Sequence, residues 1–262
     1  MSFGLVVFLT PLHIWLFHTL LNWGIISVVI YLAIYFHNPL VYLLAIFIIG
    51  TRQHALTILG HEGSHFLISK RVWINEILAS TLSFWPFGIS LQGYRYFHLA
   101  HHSFLGTSND PEQLHKAGSK QWKYPKRTLF YIIKDLCGLS FMEVYRLAKF
   151  TAPRQKSKLI LPITYMLLCN LLIYLEFSAI PIILWYISLY TSFWCVFRLR
   201  VWTEHIGTPT TLRVHLQLWQ RLIYAPCNTW YHWEHHNCPS IPFYNLPQYR
   251  KSCQGLISPN ML

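Results

Sequence analysis

Charge is scarce in this chain. Of its 262 residues only 11% are charged, and only 9 are Asp or Glu, where a soluble domain averages about 25% charged residues. No Lys or Arg precedes Arg52. That gap excludes a basic n-region ahead of the first apolar stretch, and MSFGLVVFLT offers no small-residue cleavage site, so no removed signal peptide is expected. The six cysteines (Cys137, Cys169, Cys195, Cys227, Cys238 and Cys253) contain no CxxC pair. Their spacing fits neither an iron–sulfur nor a zinc module. Internal repeats and low-complexity linkers are also missing, so residues 1–262 are expected to form a single membrane domain.

Apolar residues fill the space that charge leaves. Hydrophobic residues make up 53% of the sequence and aromatic residues 17%. A helix crossing a bilayer needs about 20 mostly apolar residues. Four runs meet that need: Leu12–Phe36, Pro39–Leu59, Leu159–Phe177 and Ala179–Phe197. Asn38 and Pro39 separate the first pair, and Glu176, Ser178 and Pro181 separate the second. The expected fold class is therefore all-α and integral to the membrane, with four transmembrane helices in two hairpins.

The basic residues give the hairpins a direction. All 21 Lys and Arg residues lie at or beyond Arg52, mostly between the hairpins or after the second. The positive-inside tendency puts those segments, and with them both termini, in the cytoplasm. The formal charge of +12 is what such a topology produces, so no nucleic-acid partner is expected. Attraction to anionic headgroups is the better use of the charge. Between the hairpins, Ile77–Leu91 is apolar but short and holds Pro86 and Gly88, which reads as a partly embedded segment. Phe130–Phe150 mixes apolar residues with Lys134, Asp135, Glu143, Arg146 and Lys149. It reads as an amphipathic helix, either at headgroup level or packed on the water-facing part.

Histidine is the residue with a pattern. His61 and His65 stand in HEGSH, His98, His101 and His102 in HLAHH, and His232, His235 and His236 in HWEHH. Spacings of i, i+3 and i+4 on a helix turn side chains to one face. Imidazole binds iron, copper, zinc and nickel. One ion rarely takes more than about four protein ligands, so eight histidines point to two metal ions held together by three distant segments. His205, in RVWTEHIG, is a ninth candidate, but an isolated histidine is more often structural than a ligand. Glu62, Glu204 and Glu234 each neighbour a histidine, and Asp110 and Glu112 follow the second cluster. Carboxylates so placed can hold the second ring nitrogen of a ligand histidine. Adjacent helical residues diverge by about 100°, so Glu62 and Glu234 are expected to pair with other segments.

GHEGSH, HLAHHSFLGTSNDPE and WYHWEHH together resemble the three histidine boxes of the membrane fatty acid desaturase superfamily, which also holds membrane hydroxylases and carotenoid ketolases. The resemblance covers about Arg52 to Tyr244, with the hairpin spacing. It implies a di-iron centre of two Fe2+ ions, O2 as co-substrate and an electron donor on the cytosolic side. The iron ligands it implies are His61, His65, His98, His101, His102, His232, His235 and His236. EHIG resembles the extra ligand site that precedes the third box, which adds His205. Some acyl-CoA members carry an Asn one turn before that histidine. Val201 stands there in this chain, and Asn228 is a weaker substitute.

A high-valent oxidant can abstract hydrogen from an unactivated methylene while the protein positions the chain. Zinc is redox-inert and cannot. The resemblance thus implies a desaturase that introduces a double bond into a fatty acyl chain, with a lipid or carotenoid hydroxylase or ketolase as the alternative and a metal-binding membrane protein without turnover as a third reading. Trp85, Phe87, Phe97, Trp194 and Trp202 are candidate walls of a substrate tunnel, or simple core and lipid contacts. No HPGG-like haem-binding stretch follows Tyr244, so electrons are expected from a separate ferredoxin or cytochrome b5. The basic stretch Lys116–Arg127 could dock an acidic donor or merely obey the topology.

Overall fold

A computed structural model describes residues 12–112, 124–205, 208 and 210–253. Every regular element among them is helical. Four helices are long and apolar enough to cross a membrane: α1 (Leu12–Phe36), α2 (Pro39–Ser64), α7 (Lys156–Glu176) and α8 (Ile180–His205). The first span coincides with the expected one. The second and fourth run further, to Ser64 and His205, because their final turns stay helical after the apolar run ends. α2 begins cleanly: Pro39 occupies the first turn, where its missing N–H costs nothing, and the Asn38 side chain accepts from Leu40 N at 2.9 Å.

α2 is the central post and α7 the most lipid-exposed span. With no water to drive apolar surfaces together in a bilayer, close approach and polar ties hold helices. Trp15 Nε1 donates to Leu59 O and Trp23 Nε1 to Leu82 O, each at 2.9 Å. Gln53 Nε2 donates to Trp185 O at 2.9 Å, and Ser192 Oγ to Ile46 O at 2.6 Å. Two π turns, Ser80–Phe84 and Leu189–Phe193, sit against glycines of α2. A Cβ on Gly60 would come within 2.9 Å of Ser83 and Phe84 atoms, and one on Gly50 within 2.1 Å of Ser192 Oγ.

The segment between the hairpins is more broken than a single embedded stretch. α3 (Val72–Ala79) runs into the first π turn and a tight turn at Trp85–Phe87, which ends at Gly88 with φ of +69°. α4 (Leu91–Phe104) then starts under a Ser90 cap. The expected helix over Phe130–Phe150 is two helices, α5 (Pro125–Leu136) and α6 (Phe141–Phe150). Gly138, at φ of +71°, turns the chain between them, and the Ser140 hydroxyl donates to Asp135. Leu129, Phe130, Ile133, Phe141 and Met142 stay exposed, as on helices at a lipid surface. Arg198 of α8 holds both helices, reaching Asp135 Oδ2 at 2.6 Å and also pairing with Glu143. The short helices α9 (Leu218–Ile223), α10 (His232–Asn237) and α11 (Leu246–Ser252) complete the described chain. Residues 116–123 of the basic Lys116–Arg127 stretch lie outside it.

Candidate metal centre

All nine candidate histidines meet at the end of the α2–α8 pair. They form two adjoining groups. His61, His65, His98, His102 and His235 bring one nitrogen each to within 4.8 Å of one another. His101, His232 and His236 do the same, and His205 joins them through His101 with Glu112 and through His232 with Glu204. The rings of His102 and His236 stack at 4.2 Å across the divide. The boxes therefore converge on two points. In each box the i, i+4 pair stays together (His61 with His65, His98 with His102, His232 with His236), while His101 and His235, one residue short of a full pairing, turn to the other group. Helix geometry dictates this: i+4 lies about 40° from i on one side and i+3 about 60° on the other.

The donor set fits metal ions. Nε2 atoms face one another at 2.9 Å for His65–His98 and His98–His102, 3.1 Å for His102–His235 and His232–His236, and 3.3 Å for His101–His236. Neighbouring ligands of one ion stand about 3.0–3.4 Å apart when metal–nitrogen bonds are about 2.1 Å. His61 Nε2 is buried with no hydrogen-bond partner. Burial, then the neighbouring histidines, lowers the pKa of His98 and His235 far below the usual imidazole value. His65 is held at about 3 and His102 at about 4 for the same leading reason. These four rings are thus neutral at neutral pH and have a lone pair to give.

Outer contacts orient the candidate histidines. Asp110 Oδ1 lies 2.8 Å from His101 Nδ1 with both side chains fully buried, which turns His101 Nε2 to the centre. His205 Nδ1 donates to Thr210 O. Tyr94 stacks on His98 with ring centroids 5.7 Å apart. Glu62 accepts from Phe243 N at 3.0 Å, and Glu234 receives Arg250 through two bonds of 2.8 and 2.9 Å. Both carboxylates pair with other segments, as their position on the helix requires. Glu204 Oε2 and Glu112 Oε2 each lie 3.6 Å from a candidate histidine's Nε2, of His232 and His101 respectively.

Other supports carry no sequence signal. Arg95 donates to Ser64 O at 3.0 Å and Gly63 O at 2.8 Å, and pairs with Glu76 at 2.5 Å. Asn75 Nδ2 adds a bond to Gly63 O at 2.8 Å. They close the carbonyl end of α2 beside His61 and His65. Asn228 is turned away, with Nδ2 donating to Phe243 O at 3.1 Å.

A cavity of about 250 Å³ opens onto both groups, with His61, His232 and His235 in its wall. Phe84, Phe87, Phe97, Phe193, Trp194 and Phe197 give it much of its apolar wall, Glu62, Glu112 and Arg200 also reach it, and Leu147 and Thr151 at the α6 end close one side. Phe87, Phe97 and Trp194 thus line it as candidate tunnel residues. Trp85 packs on Tyr165 instead, and Trp202 is fully buried against Tyr131.

Residues 37–258 match the fatty acid desaturase family, and the chain belongs to that family. It is accordingly a multi-pass membrane protein. A stretch of 74 residues is 31% identical to an sn-1 acyl-lipid omega-3 desaturase (ferredoxin) of Nostoc sp. (strain 36). That stretch is 28% of this chain and 20% of the relative, so most of the relative's length is unmatched. No solved structure matches the chain.

Proposed function

We propose that the protein is an oxygen-dependent di-iron oxidoreductase that desaturates a fatty acyl chain. The observation that carries this reading is the meeting of nine histidines from three boxes and α8 at the inner end of an aromatic cavity, within a desaturase family. His61, His65, His98, His102 and His235 would hold one iron, and His101, His205, His232 and His236 the other. When bound, the irons supply the oxidising power of O2 that no protein side chain possesses.

The chain's own residues do the rest. The aromatic wall takes an extended hydrocarbon and excludes water from it. Asp110 and Thr210 fix the rings of His101 and His205. In balance, two neighbouring methylenes each lose one hydrogen, O2 is reduced with two further electrons and two protons, and two waters leave with the alkene. A separate donor, a ferredoxin or a cytochrome b5, supplies the electrons from the cytosolic side, where positive-inside charge puts the histidines.

Purified protein loaded with iron, given a reductant chain, O2 and deuterated acyl substrates, tests the reading. The expected product lacks one hydrogen from each of two adjacent carbons. A product that carries an oxygen atom from O2 at the attacked carbon would make the enzyme a hydroxylase or ketolase. O2-independent metal binding without product would leave a metal-binding protein.

A further inference from the structure

Among the described residues, His54 is the one histidine of the cavity wall that lies outside the proposed metal centre. It lies seven residues before His61 on the same side of α2, two turns and about 10 Å further into the membrane. Its side chain is fully buried and lines the cavity. Neither ring nitrogen has a hydrogen-bond partner. The rings of Phe193 and Phe197 stand edge-on to it at 6.1 and 6.3 Å. The hydroxyls three residues to either side are engaged with carbonyls: Thr57 Oγ1 donates to His54 O at 2.8 Å and Thr51 Oγ1 to Ile48 O at 2.7 Å.

A plain hydrocarbon in this chamber would leave one donor and one acceptor of a neutral imidazole unmet. Such groups persist where a ligand meets them, and a site built to bond a substrate oxygen discriminates strongly against the analogue that lacks it. We infer that His54 hydrogen-bonds an oxygen function on the buried part of the substrate, so that the cavity selects an acyl chain bearing a hydroxyl or keto group about 10 Å from the reacting carbons. A hydroxyl satisfies the ring as donor or acceptor, and a keto oxygen accepts its N–H. The inference rests on the acyl-chain reading and refines the substrate class.

Equilibrium binding to the metal-free full-length protein in nanodiscs tests it without turnover. A radiolabelled saturated acyl ester is displaced by the same ester, or by its mid-chain hydroxy and keto forms. The wild type should favour the oxygenated chains by about tenfold. His54→Phe should abolish that preference, read as the ratio of affinities for the oxygenated and saturated esters, and His54→Gln should keep part of it. Equal binding of all three chains by the wild type overturns the inference and leaves the desaturase reading standing. So does an undiminished preference in His54→Phe. Failure of every chain to bind removes the acyl reading first, and this inference with it.

Discussion

At the scale of single residues, the proposed centre should depend on groups outside the histidine cluster. Asp110 shares a fully buried 2.8 Å contact with His101 Nδ1. Asp110→Asn keeps the volume but weakens the acceptor that fixes the tautomer, and such changes cost about 10–100-fold in metal affinity. Metal per chain after dialysis against graded chelator should fall by that factor, with the helical signal unchanged. Arg250 differs in kind. It satisfies Glu234 at 2.8 and 2.9 Å, so Arg250→Met leaves a buried carboxylate with Arg213, 2.6 Å away, as its remaining ion-pair partner. Removing one member of a buried pair costs about 3–5 kcal/mol, and the surviving arginine puts this case at about 3. A lowered denaturation midpoint with normal metal content in the folded fraction is expected. Metal loss without loss of stability would mean that Glu234 serves the centre.

At the scale of elements, the packing of α2 is the feature with most consequence. Gly50 faces the π turn of α8 so closely that a Cβ would meet Ser192 Oγ at 2.1 Å and Phe193 N at 2.5 Å. Backbone cannot swing aside as a side chain can, so Gly50→Ala should cost about 1–3 kcal/mol or more through forced separation. A fall in thermal midpoint in detergent, larger than that for Ala at the open site Gly24, checks it. The sequence shows where these helices are and conceals how they meet. Twenty-residue apolar runs announce spans because the bilayer imposes the length. The i, i+3, i+4 histidines announce a ligand face because the helix imposes the angle. The π turns, the break at Gly138 and the Arg95 clasp on α2 depend on surfaces supplied by distant segments, and no local pattern encodes them. The division of the histidines into two groups lies between these cases. The angles were already implicit in the spacing, but only the docking of α4 and α10 against α2 shows that the odd member of each of those boxes crosses over.

At the scale of the whole molecule, the hairpins put all nine histidines on one side of the bilayer. α2 and α8 both end there, at Ser64 and His205, and α5, α6 and the chain after α8 continue on the same side. Among the described residues, the opposite side holds only two tight connections, at residues 37–38 and 177–179. Neither connection holds a Lys or Arg, so the positive-inside tendency predicts that the histidine side is cytoplasmic. Cys137 stands exposed between α5 and α6 and supplies a natural probe. In a variant that keeps Cys137 alone, an impermeant maleimide should label intact cells hardly at all and broken cells fully. With Cys137 also replaced, His37→Cys or Ser178→Cys should reverse the result and label from outside. If Cys137 reacts in intact cells while the turn cysteines do not, the molecule is inverted. The proposed centre would then face away from the soluble cytosolic donors, and its electrons would have to come from across the membrane.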